Sequence, residues 1–313
     1  MSEDRNADAG RLDRASMRRA FERAAATYDS AAVLQREVGQ RMAERLGIVR
    51  LDPAAILDAG CGTGEALGEL HARYPRARLV GLDLAYPMLQ AARRRDLTVQ
   101  ADTRPLIRRL LGAFAAPARA RPALVCGDVC RLPLAARSVD LVWSNLTLQW
   151  VDELPQALAE LHRVLNVGGL FTFTTFGPDT LIELRRAFAA VDAGAHVNRF
   201  LDMHDVGDML VQAGFADPVM DMEMITMTYP DAGALMRDLK AIGAQNARAD
   251  RSRGLTGRRK WQGMLAALEP FRRDGRLPAS FEIIYGHAWK PAPRVVGDGR
   301  AIVRFDRGPG ERR

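Results

Sequence analysis

The stretch Ile56-Leu57-Asp58-Ala59-Gly60-Cys61-Gly62-Thr63-Gly64 joins a short apolar run to three glycines at alternate positions, and it constrains this chain more than any other. It reads as a buried strand running into a tight turn. Glycine reaches positive φ at little cost and leaves no Cβ between the main chain and a ligand. Three of them in five residues therefore suit close approach by something large and flat, such as a nucleoside.

Spacing separates two kinds of nucleoside turn. A dinucleotide fingerprint runs G-x-G-x-x-G and leaves the helix N-terminus to a pyrophosphate. Here the run is G-x-G-x-G, and Asp58 stands two residues before the first glycine. A carboxylate there repels a pyrophosphate and attracts a cationic amino-acid group. Asp83 closes a second apolar run, one crossover helix and one strand further on, where a carboxylate can accept hydrogen bonds from both ribose hydroxyls. The pattern resembles motif I of class I S-adenosylmethionine-dependent methyltransferases. That resemblance implies S-adenosyl-L-methionine as cofactor and an α/β Rossmann-like fold, a mostly parallel seven-stranded sheet with helices on both faces. The candidate cofactor contacts are Asp58, Gly60, Cys61, Gly62, Gly64 and Asp83, with Asp128 and Asn145 from later strands. Asp128 ends the apolar run 123–126 and its glycine, where the resemblance places the group that reads the adenine amine. Taken singly, each of these is equally a plain turn or a solvated acid; together they point to a cofactor site.

Length and composition set bounds. The 313 residues, 48% hydrophobic, can bury a large core. Apolar runs are too short to cross a bilayer, and the N-terminus has no apolar signal region. Cys61, Cys126 and Cys130 show no zinc or thioredoxin spacing, so the expectation is a cytoplasmic protein with reduced thiols and no metal. A net charge of +7 suits an acidic partner. Much of it lies in 93–122, where arginines such as Arg93, Arg104 and Arg119 face only Asp96 and Asp102; this reads as an inserted basic helix with one apolar face.

The expected organisation is an N-terminal helical cap over 1–52, a cofactor-binding core over 53–177, and substrate-side helices with the last strands of the same sheet over 178–290. Residues 1–10 and 291–313 read as mobile. A helical pattern over 157–165 stops at Gly168-Gly169, and 248–260 reads as a very basic segment before a final strand near 281–289.

The acceptor is read from what surrounds the core. After the fourth strand the chain carries Ser144-Asn145-Leu146, without the prolines of base-amine methyltransferases, and no Pro-Cys nucleophile for cytosine occurs. Four segments then resemble the malonyl-[acyl-carrier protein] O-methyltransferase family of biotin synthesis. They are Phe21-x-x-Ala24-Ala25-x-x-Tyr28, Trp143-Ser144-Asn145-Leu146-x-x-Gln149-Trp150, His196-x-Asn198-Arg199-Phe200 and Leu239-Lys240-x-Ile242-Gly243-Ala244. The resemblance covers about 17–289. It implies methylation of the free carboxylate of a malonyl thioester on an acidic acyl-carrier protein, with Arg199 clamping that carboxylate, Tyr28 closing the cofactor pocket and Lys240 near the acceptor entrance. Arg248, Arg251, Arg253, Arg258, Arg259 and Lys260, together with the inserted basic helix, are the expected docking surface for the carrier.

Two other readings compete. Phe176-Gly177-x-Asp179-Thr180-Leu181-x-Glu183-Leu184-Arg185 and Pro278-Ala279-Ser280 also resemble the methyltransferase-like assembly factor of respiratory complex I, which implies hydroxylation of a protein arginine. A non-catalytic RNA-binding protein of the same fold fits the net charge, but aromatic residues are 6% of the chain and form no stacking strip.

Overall fold

A computed structural model describes residues 11–95, 121–194, 196–251 and 257–293. Most of the inserted segment over 93–122, the first ten residues and the tail from 294 lie outside them. Three helices lead the described chain: α1 (Arg14–Ala24), α2 (Tyr28–Ala31) and α3 (Val33–Leu46). Asp13 caps α1 by accepting from the Ser16 amide at 2.9 Å, which satisfies a first-turn donor and is worth about 1 kcal/mol. Strand and helix then alternate through β1 (Ala55–Ala59), α4 (Glu65–Arg73), β2 (Arg78–Asp83), α5 (Tyr86–Arg94), β3 (Ala123–Cys126), β4 (Val139–Ser144), α6 (Leu154–Val164) and β5 (Leu165–Phe176). The last third supplies α7 (Ile182–Ala189), α8 (Met203–Gln212), β6 (Ala216–Tyr229), α9 (Ala232–Ala241), α10 (Arg258–Leu268) and β7 (Leu277–Trp289).

Seven strands form one sheet in the order β3-β2-β1-β4-β5-β7-β6. The first five run parallel, and β7 lies antiparallel between β5 and β6. Strand order reverses around β1, which pairs β2 on one side and β4 on the other, so a crevice opens beyond its C-terminal end. The glycine turn sits in that crevice.

Side chains alternate between two apolar clusters. Ile56, Leu141, Trp143 and Leu170 face one, and Leu57, Val142 and Phe171 face the other. A sheet covered on both faces needs strands that are apolar at every position, and β1 is buried along its whole length. The amphipathic stripe Leu154, Leu158 and Leu161 of α6 completes the second cluster, each leucine contributing about 2 kcal/mol by burial.

Two local expectations are corrected. Gly168 and Gly169 do not end α6; the helix stops at Val164, and β5 begins at Leu165 and passes through Gly168 at φ +76°. The pairing of Val139 with Leu165 and of Leu141 with Leu170 leaves extra residues in β5, and the glycine absorbs that bulge. The basic segment after 248 also hides α10. Trp261, Met264, Leu265 and Leu268 recur at helical spacing, and Met264 and Leu268 are buried as α10 packs on α7.

The segments shared with the arginine hydroxylase pattern staple α7 to β7. Glu183 accepts from the Ser280 amide at 3.1 Å and from its hydroxyl at 2.5 Å, while the Thr180 hydroxyl accepts from the Glu282 amide at 3.1 Å. These residues join chain elements rather than line the glycine-turn crevice.

Candidate active site

The glycine turn is built as its spacing requires. Gly60, Gly62 and Gly64 all take positive φ, at +84°, +52° and +80°. A Cβ at Gly60 would stand 2.1 Å from the Thr147 hydroxyl oxygen, whereas one at Gly62 would meet no protein atom within 4 Å. Gly60 is thus fixed by packing, and Gly62 faces open space where a ligand can approach. Gly64 departs from the expectation: it lines neither half of the crevice, and its missing Cβ lets α4 start against Ala92 on α5.

The crevice has two halves, of about 290 and 340 Å³, that share Tyr28, Gly60, Gly62 and Asn145. The first half runs past Asp83, Met88, Asp128 and Val129 under the N-terminal helix residues Met17 and Phe21. The second runs past Asp58, Cys61, Thr63 and Trp143 to Gln35 and Arg36 on α3. Asp83 anchors the seam between β2 and the turn: its carboxylate accepts from the Gly62 amide at 2.9 Å and the Ala85 amide at 2.8 Å. Burial nonetheless raises its pKa against those donors. A ribose placed beside Asp83 still finds lone pairs there, because each carboxylate oxygen has used one.

The second half carries the firmest sign of a ligand. Three buried side-chain atoms in it have no hydrogen-bond partner: the Asp58 Oδ2, the Gln35 Oε1 and the Trp143 Nε1. Two are acceptors and one is a donor, the complement of an amino acid's ammonium and carboxylate. Burial, with the charge of Asp83 next, pushes the Asp58 pKa up to about 8, a cost that a cationic ammonium would reverse. Leaving such atoms unpaired costs about 1–3 kcal/mol each, so the residues fit the methionyl end of S-adenosyl-L-methionine. A pyrophosphate would face Asp58, Asp83 and Glu65 instead.

The remaining cofactor candidates divide. Asn145 lines both halves, but its amide is spent on the fold: Nδ2 donates to the Gln35 carbonyl at 2.9 Å, and Oδ1 accepts from the Thr174 hydroxyl at 2.7 Å. It holds α3 in place over the turn. Asp128 lines the first half, with one oxygen accepting from the Cys130 amide at 2.9 Å and the other paired with Arg14 of α1. The Cys61 thiol is buried, and burial together with Asp58 raises its pKa, so it packs as a small apolar group. Tyr28 stands at the meeting point of the two halves, its phenol held neutral by burial and the nearby Asp83. Sequence reasoning missed the staple that holds this cap down. Asp29 accepts from the Thr63 hydroxyl at 2.5 Å and from Arg95 at 2.7 Å, tying α2 to the glycine turn. It missed Gln35 too, because a lone glutamine in an amphipathic helix carries no periodic signal.

A third, apolar cavity of about 390 Å³ adjoins the crevice. It shares Gln35 with the methionyl half and Trp150 with the nucleoside half, and its walls include Leu184, Phe200 and Phe281. Trp150 is held edge-on against Phe21, with ring centroids 5.2 Å apart. Lys240 is exposed at the end of α9 and lines this cavity. Arg199 lies elsewhere. It is exposed and lines a separate basic cavity with Arg185 and Arg248, so the structure does not bring it to the glycine turn. The expected docking cations are also changed: Arg248 is paired with Asp250, Arg251 with Asp13, and Lys260 with Asp192, while Arg258 and Arg259 are exposed on α10 and Arg253 lies outside the residues that the structure describes.

Among the described residues there is no cluster of His, Cys, Asp and Glu able to hold a metal ion. No described helix is long and apolar enough to cross a membrane.

Comparison with known proteins places this geometry. Residues 57–173 match the model of a methyltransferase domain. The YcgJ protein of Bacillus subtilis superposes with a TM-score of 0.51 over 80% of this chain and 98% of that one, at 14% identity, a likeness of fold. The malonyl-[acyl-carrier protein] O-methyltransferase of Laribacter hongkongensis is 56% identical over 94% of this chain and 96% of its own length. That of Gallionella capsiferriformans is 53% identical over the same shares. With a cofactor crevice of the right chemistry and relatives matched along nearly their whole length, this chain belongs to the malonyl-[acyl-carrier protein] O-methyltransferase family.

Proposed function

We propose that this protein methylates the free carboxylate of a malonyl thioester carried on an acidic acyl-carrier protein, giving the malonyl methyl ester from which the pimeloyl chain of biotin is built. When bound, S-adenosyl-L-methionine supplies a methyl carbon activated by its sulfonium. The observation that carries the reading is the junction between crevice and apolar cavity. Among the described residues, those lining both are Gln35 and Trp150, an amide and an indole, neither of them a carboxylate or an imidazole. An alcohol or ammonium acceptor must lose a proton before it attacks, and that junction offers no base. A carboxylate is already ionised at neutral pH and needs none.

The work left to the chain is to take water off an anion and hold it in line. Trp150, Phe200 and Phe281 provide the dry wall, and bringing the two reactants together there is worth several kcal/mol of barrier. Lys240 supplies positive charge at the cavity's rim for the incoming anion. Asp58 and Gln35 would hold the ammonium of the cofactor, Trp143 its carboxylate and Asp83 its ribose, while Tyr28 stands at the meeting point of the two halves. The test is intact mass spectrometry of malonyl carrier protein incubated with the enzyme and cofactor. A gain of one methylene on the thioester arm supports the reading. A methyl group found on the carrier's polypeptide, or an unmodified carrier, refutes it.

A further inference from the structure

The basic cavity that holds Arg199 is not absorbed by the methyl-transfer site, and its electrostatics are unbalanced. It has a volume of about 390 Å³ and draws on Arg185, Arg199 and Arg248. Arg248 is neutralised by Asp250 through two contacts, at 2.8 and 2.6 Å. Asp192, the acid of this cavity, is itself occupied: His196 lies 2.7 Å from it, Lys260 3.2 Å, and the Gly194 amide 2.9 Å. Arg185 has no carboxylate within ion-pair distance among the described residues; its guanidinium donates to the carbonyls of Pro178 at 2.7 Å and Thr180 at 3.0 Å. Those neutral acceptors fix its direction, and burial desolvates it, with only the charge of Asp179, beyond ion-pair distance, acting the other way. Arg199 has neither an ion-pair nor a hydrogen-bond partner among the described residues. Two guanidinium groups without an ion-pair partner among the described residues therefore line one cavity, whose own acid is already engaged by other groups.

The cavity is also in the right place. It shares Phe188, His196, Val197 and Asn198 with the apolar cavity, whose far end shares Trp150 and Gln35 with the cofactor crevice. Shared walls thus set the three cavities in the order cofactor crevice, apolar cavity, basic cavity. A carrier-bound thioester has that order of chemistry: a carboxylate tip, a long uncharged pantetheine arm, and a phosphodiester where the arm joins the protein. Guanidinium forks are the side chains best matched to a phosphate.

Resting on the proposed carrier-bound substrate, we infer that Arg185 and Arg199 form a subsite for the phosphate of the pantetheine arm, so that Arg199 reads the arm's outer end rather than its malonyl tip. Arg185 is the preset contact, held by backbone carbonyls; Arg199 is the exposed one.

The test uses two small thioesters, malonyl-pantetheine and malonyl-4′-phosphopantetheine, titrated by calorimetry into the enzyme saturated with S-adenosylhomocysteine. The phosphate should tighten binding by roughly tenfold or more in the wild type, as expected for charge-assisted hydrogen bonds to a phosphate. Arg199→Gln should reduce that gain to within roughly threefold without weakening malonyl-pantetheine, and Arg185→Lys should keep part of it. Arg199 is exposed, so its variant folds whether or not Arg185→Lys does. Equal or undetectable binding of the two thioesters by the wild type overturns the subsite, as does an Arg199→Gln effect of the same size on both. Failure of the subsite is distinct from failure of the proposed function, because the same wild-type enzyme is assayed in parallel for methyl ester on malonyl carrier protein.

Discussion

Replacing Asp58 with Asn should stabilise the empty enzyme and cripple its hold on the cofactor. In the folded chain burial and Asp83 lift the Asp58 pKa from 3.8 to about 8, whereas the unfolded chain keeps the ordinary value. Between those values the folded state holds a proton that the unfolded state has released, so stability falls as pH rises. Across the three pH units from 5 to 8, at 1.36 kcal/mol per unit, the wild type should lose about 4 kcal/mol at most relative to Asp58→Asn. Any packing or hydrogen-bond penalty of the asparagine is the same at both pH values and cancels from this difference. Thermal unfolding without cofactor should show a gap in Tm between variant and wild type that widens by up to roughly 10 °C over that range. Calorimetry at pH 8 should show S-adenosyl-L-methionine binding weakened roughly 30- to 100-fold, the loss of a charge-assisted contact worth about 2–3 kcal/mol. Parallel unfolding curves for the two proteins at pH 5 and 8 would refute the claim of a desolvated carboxylate. Unchanged binding would refute its role as the ammonium's partner.

Other residues of the site separate folding from binding. Gly60→Ala forces a Cβ to within 2.1 Å of Thr147 at φ +84°, and the variant should lose at least about 2 kcal/mol in chemical denaturation. Gly62→Ala puts its Cβ in space free of protein atoms, so denaturation should shift by only about 1–2 kcal/mol while cofactor affinity falls at least roughly tenfold by calorimetry. Glu183→Ala strands the Ser280 hydroxyl and amide and should cost about 1–3 kcal/mol of stability, with cofactor Kd unchanged. Trp150→Ala removes the wall shared by crevice and acceptor cavity, and kcat for carrier methylation should fall roughly tenfold or more with little change in Tm.

The core of the fold was legible because its determinants are local. Doubly covered strands such as 55–59 announce themselves as short, mostly apolar runs, here broken only by Asp58, and the G-x-G-x-G turn sets its own backbone conformation. The acids Asp58 and Asp83 were legible for the same reason: each stands at the C-terminal end of a strand, Asp58 one residue before β1 stops and Asp83 closing β2. What failed depends on distant partners. The Gly168 bulge follows from register with β4, which no run of residues within β5 encodes. Helix α10 was masked by its arginines, although Trp261, Met264, Leu265 and Leu268 carried the period. Arg199 was recognisable as part of a motif but not by position, because whether a loop cation faces the methyl donor or the outer cavity is decided by how the loop after α7 packs. The hydroxylase pattern rested on residues that hold the fold: Glu183 of α7 accepts from the Ser280 hydroxyl, and Thr180 just before α7 accepts from the Glu282 amide of β7.

The central claim is that the acceptor reaches the methyl donor already ionised, so that no side chain removes a proton during the reaction. The pH dependence of kcat, measured with saturating cofactor and malonyl carrier protein from pH 6 to 9, tests it most directly. A flat profile is expected, because saturation removes the Asp58 titration of the free enzyme and a malonyl carboxylate stays ionised throughout. A kcat that climbs about tenfold per pH unit through neutrality would show a base at work and contradict the account.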